Sequence, residues 1–177
     1  MMDEQIIDLM DFLKKIDEFD LPTYKELPSV PLYMEQVITY VNNVLKPLSD
    51  KEKNVLTSFM VNNYVKQKVI PAPVNKKYSK MHLIYLISLG ILKNVLSITD
   101  IRNIIKMQIT QYPIEIAYDF FAQELENALL VTFGDRDFSQ SNSASKRTQL
   151  SEVIHSAALS FTNRIYVKKN IKTEFNN

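Results

Sequence analysis

The chain has 177 residues, 46% of them hydrophobic and 23% charged, with a net charge of +1, the balance of a globular protein and not of a disordered one. It contains no cysteine, two histidines and two glycines, which removes disulfides, thiol nucleophiles and cysteine- or histidine-rich metal sites, and weighs against a β-sandwich, a barrel or a glycine-rich phosphate loop. A mostly helical protein of a reducing compartment, the cytoplasm, is expected, with no cofactor and no metal.

Ile6, Leu9, Met10, Leu13 and Ile16 recur at helical spacing among Asp8, Asp11, Lys14 and Lys15, which predicts an amphipathic first helix. Its acidic start lacks the basic region of a signal peptide. Pro22, Pro28 and Pro31 then break the chain, and Leu21 to Pro31 reads as an extended linker. A second helix is expected from Leu32 to Leu45, with Val37, Ile38, Val41, Val44 and Leu45 inward and Pro47 as its stop. Ser49 and Asp50 read as caps for a short turn. A third helix is expected from Thr57 to Gln67, with Phe59, Met60, Val61 and Tyr64 on its apolar side.

Pro71 and Pro73 predict extended backbone between Val69 and Tyr78. Ser79 caps a fourth helix reaching about Val95; its apolar run, Leu83 to Leu92, is too short to span a membrane and reads as a core helix. Ser97 or Thr99 caps a fifth, to about Thr110. Pro113 opens a sixth that ends near Phe133, with Gly134 as its stop. Asp135 to Ser145 reads as a polar, serine-rich loop. The last helix is expected from Lys146 to Asn170.

Charge is distributed unevenly. Met1 to Glu35 holds nine acidic residues against three lysines, whereas Lys51 to Lys80 holds seven lysines against one glutamate. A basic segment in a neutral protein is the footprint of an anionic partner such as a nucleic-acid backbone; a solvated face balanced by the acidic arm is the competing reading.

Leu32 to Ile105 reads as a helix pair, a lysine-bearing extended hairpin, then two helices, the layout of a winged helix-turn-helix. The run Leu56 to Pro73 resembles the second helix and wing start of MerR-type regulators, through Tyr64, Lys66, Val69, Ile70 and Pro71. Lys77-Tyr78-Ser79 resembles the close of that wing, and Leu96 to Ile101 the start of the following helix. More closely, Asn62 to Lys66, Ile70 to Pro73, Lys76 to Ser79 and the leucine-rich helix from Leu83 resemble a bacterial family of unknown function catalogued as domain of unknown function 1836. That likeness implies a fold more than a role. Lys68 stands where the MerR pattern has glycine, the wing is short, the connection from Lys46 to Leu56 is long, and the third helix lacks arginine, so guanine readout by arginine is not available there.

The resemblance implies an all-α protein with a short β-wing: a MerR-like winged helix-turn-helix followed by a C-terminal helical hairpin. Residues 1–31 form an acidic arm and linker, residues 32–111 the winged domain, and residues 112–177 a dimerisation or sensing region. The expected function is that of a bacterial DNA-binding transcriptional regulator and not of an enzyme. Ser58, Phe59, Asn62 and Asn63 are the candidates for groove contacts, Thr57 for a phosphate contact from the helix N-terminus or a plain N-cap, and Lys66, Lys68, Lys76, Lys77 and Lys80 for phosphate contacts. Leu150, Ile154, Ala157, Phe161 and Ile165 form a stripe that suits a hairpin seam or a homodimer. The alternative is a protein-interaction module worked by the acidic arm and the helical hairpin. A third reading is a small-molecule sensor with its effector, of unknown identity, among Phe120, Phe121, Leu125, Leu129 and Phe133, for which a hairpin core is the first reading and a dimer interface the second. Tyr64, Tyr78, His82 and His155 read as structural or surface residues, and Asp119, Glu115 and Glu126 as the wet side of their helix. Ser151, Glu152 and His155 lack the glycine-flanked turn of a hydrolase nucleophile.

Overall fold

Periodicity in the sequence becomes seven α-helices and one two-stranded antiparallel sheet in the computed structural model, which describes residues 2–49, 54–134 and 143–175, with side chains over 10–49, 54–134 and 143–171. The protein is all-α with a short β element. The order is α1 (Met2–Asp17), β1 (Leu32–Tyr33), α2 (Met34–Leu45), a 3-10 turn (Lys46–Leu48), α3 (Ser58–Lys66), β2 (Lys77–Tyr78), α4 (Lys80–Leu92), α5 (Ile98–Gln111), α6 (Ile114–Phe133) and α7 (Gln149–Phe175). The expected cap at Asp50 and most of the expected loop, residues 135–142, lie outside the described residues. Internal contacts divide the chain into two units, Pro22–Asp119 and the combination of Met1–Leu21 with Phe120–Asn177. One division falls inside α6, where composition shows no break; the divisions drawn on composition fall at 31/32 and 111/112.

Pro22–Asp119 is built round α4. Its residues Leu83, Leu86, Ile87, Leu89, Ile91 and Leu92 are all buried, because a helix that is apolar on every side has to be enclosed by its neighbours. α2 turns Val37, Val41 and Leu45 inward, and α5 contributes Ile101, Ile104 and Ile105. Gly90 lets α2 come close: a methyl group there would meet Leu45 Cδ1 at 2.5 Å and Val55 Cγ1 at 3.1 Å. Ile38 and Val44, expected inward, are half-buried.

Several boundaries differ from expectation for local reasons. The second helix begins at Met34, since Leu32 and Tyr33 pair with Tyr78 and Lys77 as a strand. Residues 24–26 form a turn inside the expected linker. Its cause is Glu26, whose carboxylate accepts from the Thr23 N–H at 2.8 Å and from its hydroxyl at 2.7 Å. Leu21 and Leu27 flank that turn and are buried, so this stretch is not extended spacer. Ser79 caps α4 and Ser97 caps α5, the latter by accepting from the Asp100 N–H. Gly134 ends α6 without entering the left-handed region.

In the other unit, α1, the later part of α6 and α7 share a core of Phe12, Ile16, Phe121, Leu125, Leu129, Leu150, Ile154, Phe161 and Ile165. Met10, expected on the apolar stripe of the first helix, is 65% exposed, and Phe12 takes the inward place. The Phe12 ring meets Phe133 edge-on at 5.4 Å. Ile6 and Leu9 lie outside the described side chains. α7 starts at Gln149 and not at Lys146, because Thr148 and Ser151 exchange bonds there: each backbone N–H donates to the other's hydroxyl oxygen.

Candidate nucleic-acid interface

α3 is short, and nine residues do not hold a helix in water on propensity alone. Two side chains fix its start. Asn42, in the middle of α2, donates from Nδ2 to the Leu56 carbonyl and accepts the Leu56 N–H on Oδ1, both at 2.9 Å. Lys93, just past α4, donates to the Val55 carbonyl, and burial pushes its ammonium below the ordinary lysine range. Thr57 then caps α3 by accepting from the Met60 N–H at 3.3 Å. Val61 and Tyr64 face the core. Ser58, Phe59, Asn62 and Lys66 form the exposed face, Phe59 at 72% exposure. Phe59 is thus not part of the helix's apolar side, and Asn63 is half-buried where Asn62 is open.

α3 ends in a left-handed residue. Lys68 has φ 56°, and the N–H groups of Val69 and Ile70 turn back onto the Tyr64 carbonyl. Glycine is the usual occupant of such a position, because a Cβ costs about 1–2 kcal/mol there. Val69 and Ile70 are buried beyond it and lead into Pro71–Pro73.

The hairpin that follows is tight. Val74 and Lys77 bridge each other, with Lys77 N–H to Val74 oxygen at 2.9 Å and Val74 N–H to Lys77 oxygen at 3.1 Å. The two residues between them, Asn75 and Lys76, have φ of 51° and 61°. Positive φ at both central residues is the type I′ requirement, usually met by Asn-Gly. Among the described residues, Lys68, Asn75 and Lys76 are the non-glycine residues with positive φ. All three lie between the end of α3 and β2.

The outgoing strand of the hairpin, β2, pairs with β1 in the register Leu32 with Tyr78 and Tyr33 with Lys77. The Lys77 ammonium sits 5.1 Å from the centre of the exposed Tyr33 ring. α2 touches both α3 and β2, so one helix positions the exposed helix face and the hairpin. Behind the hairpin, the Ser79 N–H donates to Nδ1 of the buried His82 at 3.0 Å. Its buried Nε2 has no hydrogen-bond partner among the described residues. Burial is the main influence on this imidazole and lowers its pKa; the Ala72 and Pro71 backbone opposes that. Tyr64 and Tyr78 are buried packing residues, their phenols pushed upward by desolvation.

Lys66, Lys68 and Lys76 are exposed, and among the described residues no carboxylate lies within ion-pair distance of them. Lys80 differs: its ammonium donates to the Tyr24 carbonyl at 2.8 Å and lies 4.5 Å from the Tyr24 ring centre. It is a tether for residues 22–27. Asp119 and Glu126 are also tethers, accepting the Tyr24 N–H at 2.6 Å and the Leu21 N–H at 3.0 Å respectively, and not a solvated helix side.

In the unit of Met1–Leu21 and Phe120–Asn177, Leu150, Ile154, Ala157, Phe161 and Ile165 are each less than 7% exposed within the single chain, covered by its own core. Reading that stripe along the sequence missed what lies beside it. Glu124, fully buried, accepts the Ser143 N–H at 2.7 Å and pairs with His155 Nδ1 at 2.8 Å, and the Ser143 hydroxyl donates to the same carboxylate. The signal was present: Glu124 falls between Phe121 and Ala128 on the apolar stripe of α6, and His155 follows Ile154 on that of α7. Ser151 is engaged at the start of α7. Among the described residues, no group of three or more His, Asp or Glu could hold a metal ion, and no helix is long and apolar enough to cross a membrane.

A helical domain with a two-stranded sheet, carrying an exposed helix face beside a basic hairpin, is the class of protein that the fold defines. The family described as Domain of unknown function (DUF1836) matches residues 22–121, and the chain belongs to it. No curated protein and no solved structure matches the chain.

Proposed function

We propose that the chain is a sequence-preferring, DNA-binding regulator of transcription, with α2 and α3 as a MerR-like helix-turn-helix and the Val74–Tyr78 hairpin as its wing. α3 enters the major groove with its Thr57 end. Lys66, Lys68, Lys76 and Lys77 hold the flanking phosphates and fix the register. Two chains pair on a two-fold operator. With the Leu150–Ile165 stripe covered, pairing falls to the outer side of α7, where Tyr166, Val167 and Ile171 are about half exposed.

The backbone at Lys68 and Lys76 is the observation that carries this reading. Strain kept at exposed residues suits a function better than stability. Here it is kept twice, at lysines that no carboxylate neutralises among the described residues, in positions that glycine would occupy at lower cost.

The test is fluorescence anisotropy with labelled duplex from upstream of the chain's own gene, beside a random duplex, at two salt concentrations. Four phosphate contacts predict a log–log salt slope of about −4, with preference for the upstream duplex. The Lys76→Ala/Lys77→Ala variant is expected to flatten that slope by about 2. Absence of binding at low salt rejects the proposal.

One observation favours a protein-interaction module instead. Met107, Ile109, Tyr112 and Ile116 are 39–55% exposed over the end of α5 and the start of α6, an apolar stretch of the kind that marks protein contacts.

A further inference from the structure

Resting on the DNA-binding reading, we infer that α3 reads adjacent A·T base pairs, with Phe59 against a thymine methyl and Asn62 paired to an adenine edge. A single exposed aromatic says little by itself. The company it keeps says more.

The face that α3 leaves open consists of Ser58, Phe59, Asn62 and Lys66. In the major groove each pair presents its own pattern. Guanine offers two acceptors, cytosine a donor, adenine an acceptor beside a donor, and thymine an acceptor and a methyl group. No residue of α3 is arginine, aspartate or glutamate, so the arginine fork for guanine and the carboxylate for cytosine are absent. Ser58 serves any base. Asn62 carries the donor and acceptor that match adenine N7 and N6, and Phe59 supplies an apolar face for the thymine methyl.

Lysine is able to read guanine, but Lys66 is in the last turn of α3, and helix-turn-helix docking brings the N-terminal residues to the bases. Lys66 is placed for phosphate. Spacing agrees with neighbouring pairs: three residues of helix advance about 4.5 Å along the axis, and successive pairs lie about 3.4 Å apart. Both side chains are exposed before any partner arrives, so docking requires no repacking of the Val61 and Tyr64 side of the helix.

The experiment uses three alternating duplexes of equal length: dA·dT, dA·dU and dG·dC. All carry the same phosphate charge, and dA·dU differs from dA·dT by the thymine methyl alone. The full-length chain is expected to bind dA·dT most tightly, dA·dU several-fold more weakly, and dG·dC about tenfold or more below dA·dT. Phe59→Ala is expected to abolish the difference between dA·dT and dA·dU. Asn62→Ala is expected to abolish most of that between dA·dU and dG·dC, which separates base contact from the general stiffness of A·T-rich DNA. Circular dichroism and thermal melts check that both variants fold. Equal binding of the three duplexes, a preference for dG·dC, or variants that keep the wild-type order would overturn the inference while DNA binding stands. Failure to bind any duplex at low salt would overturn both, and point to a protein partner for α3.

Discussion

In the unit formed by Met1–Leu21 and Phe120–Asn177, ionisable side chains are taken inside. Glu124 is fully buried in a helical core, bonded to His155 and to Ser143. In Pro22–Asp119 the lysines at the end of α3 and in the hairpin stay outside, and the backbone bends into the left-handed region to carry two of them, Lys68 and Lys76. A buried pair costs desolvation on both partners and is secure only when its bonds are complete. An exposed lysine costs little in solvation, but in a left-handed position it costs conformational energy. The first arrangement specifies how helices pack. The second adds nothing to packing, which directs attention to what those lysines meet outside the chain.

The comparison breaks most readily at Glu124. Glu124→Ala removes one side of a buried pair and the acceptor for Ser143, and is expected to destabilise by about 3–5 kcal/mol in urea unfolding. A loss below about 1 kcal/mol would show that the core does not depend on the pair.

A smaller effect of opposite sign is expected where the strain lies. Lys68→Gly and Lys76→Gly each release a left-handed Cβ, partly offset by the greater freedom of glycine in the unfolded chain. Each should stabilise by about 0.5–1 kcal/mol. The same variants should bind the upstream duplex more weakly, with salt slopes flatter by about 1 each. Variants more stable and equally tight in binding would separate strain from function.

The smallest effect sits behind the hairpin. Burial lowers the pKa of His82, so the folded chain holds this imidazole neutral where the unfolded chain begins to protonate it. Its contribution is therefore complete above the ordinary histidine value of about 6.5 and is lost as pH falls from there toward the lowered folded value. His82→Gln keeps a side chain able to serve the Ser79 cap and removes the titration. Unfolding midpoints compared above and below about pH 6.5 should fall less in the variant. Parallel pH curves would remove His82 from the account.

Seven helices, their order and the caps of α3, α4 and α5 were legible in the chain, because helical periodicity and capping are local. Ser79 and Ser97 each act within three residues of themselves. Thr57 to Gln67 was bounded almost to the residue, for the same reason. Local reading failed wherever a partner was distant in sequence. Leu32 and Tyr33 look like the first turn of a helix until Tyr78 and Lys77 are beside them. Lys80 reads as one more cation of a basic run until the Tyr24 carbonyl claims it. Asn42 is an unremarkable polar residue in α2 until Leu56, fourteen positions on, supplies both its bonds.

The sequence by itself determined the fold class, the family motifs and the concentration of lysine between residues 51 and 80, since each is a property of composition or of neighbours a few positions apart. The tertiary structure alone decided which residues of α3 face outward, which lysines are exposed, that Lys68 and Lys76 are held in left-handed backbone, and that a carboxylate and an imidazole meet inside a helical core. Those outcomes depend on contacts between segments tens of residues apart, and on dihedral angles that a residue's identity disfavours and only its surroundings impose.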